Sequence, residues 1–287
     1  MEKDLFSVKT INVLKKGTNY LESKGIIDAR ADADLLLASV RGTTRDKLYL
    51  DLNREISFSE EEQFQGLLRQ RGEREPLAYL LKNREFMGLE FYVDRNVLIP
   101  RPETELLVEK VLDLKTNYFR NKSAYILDLG TGSGAVAVAA SFYWPKAQVL
   151  GTDVSEKALM VAEKNALAHY VRVEFRLGDL FKPVSGEKFD IIISNPPYVA
   201  EEEYEQCSPE VKNEPSLALI GGKDGLDFYR RIADEAEYYL KPGGVIILEI
   251  GCSQGEAVKG LFTLRGYKTF IFLDFAGHDR IVTAKKE

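Results

Sequence analysis

Four consecutive residues, Asn195-Pro196-Pro197-Tyr198, combine groups that can hold a planar nitrogen for chemistry. The Asn195 side-chain oxygen and the Pro196 carbonyl are two acceptors suited to the two N–H bonds of an amide or amino group, and the Pro-Pro backbone is stiff. Tyr198 offers an aromatic face for the same group. Asn-Pro and Pro-Pro also end strands as simple turns. The position after an apolar run, 189–194, favours a reacting site over a plain turn.

An amide nitrogen is a poor nucleophile because its lone pair is delocalised into the carbonyl. A site that alkylates it must mainly hold it in line with the electrophile. Two acceptors aimed at the N–H bonds also stabilise the positive charge that develops on nitrogen. The proton can leave after transfer, so we expect neither a metal nor a strong general base.

A glycine-rich run, Gly130-Thr131-Gly132-Ser133-Gly134, follows the predicted strand 125–129 and leads into a predicted helix. Its glycines let the backbone pass close beneath a ligand. The third glycine comes too early for the dinucleotide fingerprint, and no Gly-Lys-Ser/Thr follows, which disfavours nucleoside triphosphate hydrolysis.

Two further strand ends carry acids. Asp153 ends the next predicted strand, where it could accept the hydroxyl protons of a ribose. Asp179 follows the third strand, where it could accept a proton from an adenine amino group while Leu180 covers the ring. Each Asp alone could be a solvated loop residue or a helix cap. Together with the glycine run they predict an adenosyl ligand.

The elements that must position these residues form an α/β pattern. Strands and helices alternate after Ser123, and two closing segments, 267–273 and 280–284, are predicted to pair antiparallel. We therefore expect a Rossmann-like, doubly wound domain over 101–287, with Pro102 opening its first helix. Residues 1–75 predict a small helical bundle, with a capping box at Ser59 and Glu62, and 76–100 a β-hairpin linker.

The composition of the chain excludes or disfavours several classes of protein. The 287 residues carry a net charge of -6, which disfavours a protein held on nucleic acid by phosphate neutralisation. The run Arg69–Arg74 is either a local basic patch or a solvated helix end. Cys207 and Cys252 lie far apart, so we expect no disulfide framework or zinc site. No membrane span or signal segment is apparent, and a cytoplasmic monomer is expected.

The chain resembles the release factor glutamine methyltransferase family over nearly its whole length. The matching stretches include VLIPRPETELLV from Val97, ILDLGTGSGAVAVA from Ile126, SNPPYV from Ser194 and NEPSLALIGGKDGLDFYR from Asn213. The resemblance implies a helical N-terminal domain and a seven-stranded catalytic domain. It implies methyl transfer from S-adenosyl-L-methionine, leaving S-adenosyl-L-homocysteine, to the glutamine of the Gly-Gly-Gln motif in peptide chain release factors.

The resemblance also implies roles for single residues. Gly130 to Gly134, Asp153 and Asn195 would contact the cofactor, and Asn195 to Tyr198 the glutamine. The segment with Arg101, Glu103 and Glu105 would line the methionine end of the cofactor, although acids there can simply favour a helix dipole.

Two other functions stay open. An adenine-amino DNA or RNA methyltransferase presents the same planar NH₂ to a similar motif, but the acidic balance and the absence of an evident target-recognition domain disfavour it. A non-catalytic adenosyl-binding scaffold would not need Asn195 with both prolines.

Overall fold

The computed structural model describes residues 8–286, which divide into two compact units. One unit runs to Lys82 and includes the distant segment Pro209–Asn213. The other contains Asn83–Ser208 and the chain from Glu214 onward. No helix within residues 8–286 has the length and apolarity needed to cross a bilayer.

The first unit is the expected helical bundle. Its helices are α1 (Thr10–Ser23), α2 (Ala29–Val40), α3 (Arg45–Leu50), α4 (Phe58–Gly72) and α5 (Leu77–Leu81). Two-residue strands β1 (Val8–Lys9) and β2 (Glu55–Ile56) pair antiparallel, a feature too short for any sequence period to predict. The core is formed by apolar side chains at helical spacing, among them Val13, Leu14, Leu21, Leu36, Leu37, Phe64 and Leu68.

The capping box of α4 lies two residues before the predicted one, so the Ser59–Glu62 prediction is wrong. The Ser57 hydroxyl accepts the Glu60 N–H at 3.3 Å, and the Glu60 carboxylate accepts the Ser57 N–H at 2.7 Å. Both serine–glutamate pairs have the required spacing. Ser57 takes the position because its backbone is extended after β2, with ψ 157, as an N-cap residue requires.

The basic run at the end of α4 is partly solvated, since Arg69 is exposed, but its other two arginines form ion pairs. Arg71 is buried, with its Nε 2.7 Å from an Asp32 carboxylate oxygen and a terminal nitrogen 3.1 Å from Glu210. Arg74 lies 3.0 Å from the same Glu210 carboxylate. Glu210 belongs to α10 (Pro209–Lys212), so these arginines hold that segment within the helical unit.

The second unit contains a seven-stranded sheet. The strands are β5 (Tyr125–Leu129), β6 (Gln148–Asp153), β7 (Val173–Leu177), β8 (Phe189–Ser194), β9 (Leu240–Glu249), β10 (Tyr267–Leu273) and β11 (Asp279–Lys286). Their order in the sheet is β10-β11-β9-β8-β5-β6-β7. The predicted antiparallel pairing of the last two strands is confirmed. The reversed strand is β11, which lies one position in from the edge, between β9 and β10.

Helices cover both faces of this sheet, as a doubly wound fold requires. They are α6 (Glu105–Asn117), α7 (Ala135–Tyr143), α8 (Glu156–Ala168), α11 (Asp227–Tyr239) and α12 (Gly255–Thr263), whereas the short helix α9 (Glu201–Tyr204) has no buried residue. One core cluster contains residues of α6 and α7, and a second contains residues of α11 and α12. A 3-10 turn, Pro102–Thr104, precedes α6, so Pro102 does open this helical segment.

The region expected as a linker is divided between the units. Residues 77–81 form α5 in the helical unit. The predicted hairpin is present as β3 (Arg84–Phe86) and β4 (Leu89–Phe91). Phe86 and Phe91 lie in the core of the second unit. The hairpin is fixed there because Glu105 accepts the Met87 N–H at 2.6 Å and the Tyr143 hydroxyl donates to the Met87 carbonyl.

Candidate active site

The glycine run forms a tight loop at the carboxyl end of β5. Gly130, Gly132 and Gly134 have φ of +70, +57 and +78, a region that favours glycine. The Gly130 and Thr131 N–H groups donate to the Thr152 carbonyl on β6 at 2.8 and 2.9 Å. The loop therefore bends over the carboxyl end of β6, and Gly130 and Gly132 line the adjacent cavity.

Thr131 and Ser133, the two loop residues other than glycine, are both buried. The Thr131 hydroxyl donates to buried Asp128 at 2.7 Å. Burial raises the pKa of Asp128 to about 7. The carbonyl of buried Ser133 accepts the Asn165 amide at 2.8 Å. The Thr131 hydroxyl is therefore engaged within the protein, and a role of Thr131 and Ser133 in cofactor binding stays a proposal.

Asp153 lies where β6 meets the loop. One carboxylate oxygen accepts the Gly132 N–H and the other accepts the Ser155 N–H, both at 2.9 Å. Burial raises its pKa, and these backbone N–H groups oppose the increase. Because each carboxylate oxygen can accept a second hydrogen bond, the orientation suits the two ribose hydroxyls.

Asp179 and Leu180 line a cavity together with Gly130, Gly132 and Asp153. One Asp179 oxygen lies 2.6 Å from Arg231 and 3.0 Å from Lys182, and Arg231 is the main cause of its lowered pKa. Leu180 is buried with φ +49. Phe228 on α11, which sequence reasoning missed, lines the cavity too and supplies an aromatic ring near these residues.

The Asn-Pro-Pro-Tyr segment follows β8 at the same edge of the sheet. Asn195 Nδ2 donates to the Thr104 hydroxyl at 3.2 Å. No N–H or O–H in residues 8–286 donates to Asn195 Oδ1 or to the Pro196 carbonyl. The two acceptors expected to bind the target nitrogen are thus both available for it.

A second recess opens on the other side of Asn195. It is lined by Leu98, Arg101, Asn195, Tyr198, Val199, Ala218 and Leu219. Burial raises the pKa of Tyr198 to about 12, so its phenol is neutral. Asn195 and Leu98 line both this recess and the cavity with the glycine loop, so Asn195 lies where the two meet.

Backbone contacts hold the Asn-Pro-Pro-Tyr segment in place. The Gln254 amide donates to the Tyr198 carbonyl at 3.0 Å. A Cβ at Gly221 would lie 2.5 Å from the Pro197 carbonyl oxygen, and one at Gly225 would lie 2.2 Å from that of Tyr198. Sequence reasoning gave these residues no role, although the glycines stand in the stretch that carried the family resemblance.

The segment before α6 contributes unevenly to the site. Arg101 lines the recess and is held by an ion pair with buried Glu214, whose carboxylate also accepts the Ile99 N–H at 3.0 Å. Glu103 is exposed. Glu105 is used for the hairpin contact described above, a structural role rather than a ligand contact.

No three His, Cys, Asp or Glu side chains within residues 8–286 are grouped as ligands of a metal ion would be. The expectation that catalysis uses no metal stays a prediction.

The sheet order, the glycine loop and the acid at the next strand end are those of a class I methyltransferase domain, which uses S-adenosylmethionine. Sequence models of two families match the chain. The PrmC N-terminal domain matches residues 12–81, and the Methyltransferase small domain matches residues 102–210.

Full-length relatives narrow this class. A Geobacter sulfurreducens protein is 42% identical over 94% of both chains, and one from Aquifex aeolicus is 38% identical over 98% of this chain and 97% of its own. One from Bacillus anthracis is 35% identical over 98% of this chain and 100% of its own. All three are named release factor glutamine methyltransferase. The chain belongs to the release factor glutamine methyltransferase family.

Solved structures share the fold over about 70% of the chain. A Pyrococcus furiosus methyltransferase superposes with a TM-score of 0.53 at 23% identity, covering 70% of this chain and 90% of its own. A Thermus thermophilus 16S rRNA methyltransferase gives 0.51 at 19% identity, covering 71% of this chain and 50% of its own. At these identities the likeness concerns the fold alone.

Proposed function

We propose that the protein transfers the methyl group of S-adenosylmethionine to the side-chain amide nitrogen of the glutamine in the Gly-Gly-Gln motif of peptide chain release factors. The observation that carries this proposal is the pair of acceptors without an internal donor, Asn195 Oδ1 and the Pro196 carbonyl, at the junction of cavity and recess. Two acceptors match the two N–H bonds of a primary amide. The family's name supports glutamine as the target.

The proposed roles of the residues follow from their positions. The loop Gly130–Gly134 and Asp153 would hold the nucleoside end of the cofactor, with Asp179, Leu180 and Phe228 around the adenine. The cofactor supplies a methyl group on a positively charged sulfur. Asn195 and Pro196 orient the amide, Pro197 stiffens the backbone, and Tyr198 lies against the planar group. Neutral Tyr198 gives contact area without adding charge.

Methyl transfer from labelled S-adenosylmethionine tests this function. The acceptors are purified release factor, the same factor with Gly-Gly-Gln changed to Gly-Gly-Ala, and unmethylated duplex DNA. Label on the glutamine factor alone is expected. Label on DNA would instead support an adenine-amino methyltransferase. No label on any of the three acceptors would support a non-catalytic scaffold.

We further propose that the helical unit contacts a second part of the release factor, in the cytoplasm where these factors act. The recess around Asn195 and Tyr198 is lined by only seven residues, so it provides little surface for selecting a whole factor. Removing residues 1–82, the chain-terminal part of that unit, is expected to raise KM for whole factor far more than for a short Gly-Gly-Gln peptide. Equal increases for both substrates would contradict this role.

A further inference from the structure

Thr104 lies between Asn195 and a buried acid, Glu249. Its hydroxyl accepts the Asn195 Nδ2–H at 3.2 Å, and its proximity to the Glu249 carboxyl opposes the rise in pKa that burial causes there. Thr104 is 4% exposed and Glu249 1% exposed. Ser194 on β8 pairs with Leu248 on β9, so the next residues, Asn195 and Glu249, are neighbours at the edge of the sheet.

Glu249 is an unusual residue for this position. Its Oε2 is buried and has no hydrogen-bond partner in the part of the chain that the structure describes. Burying a carboxylate that is incompletely hydrogen-bonded is costly, and neutral residues of similar size would avoid that cost. The fold therefore retains an acid here at the expense of stability, next to the residue assigned to the target nitrogen.

We propose that Glu249 is a positioning residue that fixes the direction of the Thr104–Asn195 hydrogen bond and so turns Asn195 Oδ1 toward the target nitrogen. The inference rests on the proposed function, because it takes Asn195 Oδ1 as the acceptor for the amide N–H.

The direction follows from counting protons. A threonine hydroxyl has one proton, and an ionised carboxylate can only accept. When ionised Glu249 accepts a hydrogen bond from the Thr104 hydroxyl, that hydroxyl has no other proton to donate. The Thr104 oxygen can then only accept a hydrogen bond from Asn195. Asn195 must then present its NH₂ to Thr104 and its Oδ1 to the substrate. Without the carboxylate, Thr104 can donate to Oδ1 instead, and the flipped amide would present N–H groups to a nitrogen that itself carries N–H bonds.

Kinetics of four variants test this arrangement, with purified release factor as the substrate. Thr104→Val and Glu249→Gln are expected to lower kcat by about 10- to 100-fold, since misorientation of one group has effects of this size. Thr104→Ser keeps the hydroxyl and should restore most activity. The double variant Thr104→Val with Glu249→Gln should be no slower than Thr104→Val alone, because Glu249 acts through Thr104. KM for S-adenosylmethionine should change little in all four.

Matched controls come from neighbouring elements. Thr116→Val removes an exposed hydroxyl from α6 that bonds only within its own helix, to the Leu112 carbonyl. Asp190→Asn changes an acid at the opposite end of β8, where it accepts from Tyr125 and Lys241. Both controls should keep wild-type kcat.

The dependence of kcat on pH gives a readout that a purely structural role would not move. Burial raises the pKa of Glu249 to about 7. Arg101, Glu103, Tyr198 and Arg280 also face this region, and the Tyr229 hydroxyl donates to the Glu249 carbonyl at 2.8 Å. Because only the ionised acid fixes the relay, wild-type kcat should rise as pH passes upward through about 7. Glu249→Gln should lack that rise.

Three outcomes would overturn the proposal: wild-type kcat in Thr104→Val, additive losses in the double variant, or an unchanged pH profile in Glu249→Gln. Wild-type enzyme that does not methylate release factor would instead contradict the proposed function itself, so the two failures are distinguishable. Melting temperatures separate misfolding from misorientation. Glu249→Gln should melt no lower than wild type at pH above about 7, because it removes a buried charge.

Discussion

Asn195 uses the two ends of one side-chain amide in opposite ways. Its nitrogen donates a hydrogen bond to Thr104, whereas its oxygen accepts none from the described residues, 8–286, and Asn195 lines both the cavity and the recess. The sequence predicts that this residue matters because it follows a buried strand with Pro196 and Pro197. It could not predict the partner, because Thr104 is 91 residues away and is joined to it only by the fold.

Removing the Asn195 amide should slow the chemical step far more than it weakens cofactor binding. For Asn195→Ala we expect a loss of about 2 to 4 kcal/mol of transition-state stabilisation, as for other single oriented groups in preorganised sites. Single-turnover rates and calorimetric titration with S-adenosylmethionine measure the two effects separately. Near-normal turnover would refute the role given to Asn195.

Phe228 is the aromatic contact that the strand pattern did not reveal. It comes from α11, outside the strand ends on which sequence reasoning concentrated, and its ring lines the cavity with Leu180. Phe228→Ala should raise the Kd for S-adenosylmethionine about 5- to 30-fold, through lost apolar contact of about 1 to 2 kcal/mol. Phe275→Ala is the matched control, because Phe275 is 97% exposed between β10 and β11. Equal Kd values for both variants would exclude Phe228 from the cofactor site.

At the scale of elements, helix packing explains the third glycine of the loop. A Cβ on Gly134 would lie 2.9 Å from the Cβ of Ala162 on α8. Gly130 also has positive φ, but an added Cβ there meets nothing within 4 Å. A side chain at either position would strain the backbone, but only a side chain at Gly134 would also be crowded by a neighbouring residue.

This difference predicts unequal effects of the same substitution. Gly134→Ala should lower the free energy of unfolding by roughly 1 to 3 kcal/mol more than Gly130→Ala, because only the former overpacks the α7–α8 contact. Denaturant unfolding of both variants measures the difference directly. Equal losses would mean that strain alone sets the cost.

Elements were predictable where a period extends over several turns or strands. Apolar positions at helical intervals predicted the helical unit, the alternation of strands and helices predicted the doubly wound sheet, and the structure confirms both. The count of seven strands came from the family resemblance. Where two sequence positions carry the same local motif, the sequence could not predict which of them the structure uses. Ser57 and Ser59 both precede a glutamate by three residues, and only the extended backbone after β2 decides between them. The position of Pro209–Asn213 in the helical unit depends on Glu210 meeting Arg71 and Arg74, which no local pattern records.

At the scale of the whole molecule, two buried acids near the site make folding depend on pH. Burial raises the pKa values of Asp128 and Glu249 to about 7, whereas their ordinary values are 3.8 and 4.5. The folded state therefore holds these protons more tightly than the unfolded chain. Stability from both groups is full at low pH and is lost as pH rises through about 7.

The variant Asp128→Asn with Glu249→Gln should remove this dependence. Between about pH 5 and pH 8, wild-type unfolding free energy should fall relative to the double variant, on the order of 3 kcal/mol for each acid. Urea titrations at several pH values measure the difference between the two proteins. Parallel curves would show that neither acid is protonated in the folded state.

We propose that Asn195 and its neighbours place a glutamine amide for methylation. Tandem mass spectrometry of release factor incubated with enzyme and S-adenosylmethionine tests it most directly, with Asn195→Ala enzyme in parallel. We predict one added methyl group on the side-chain nitrogen of the Gly-Gly-Gln glutamine with wild-type enzyme, and a strongly reduced yield with the variant. Methylation at another residue, or equal yields from both enzymes, would contradict the account.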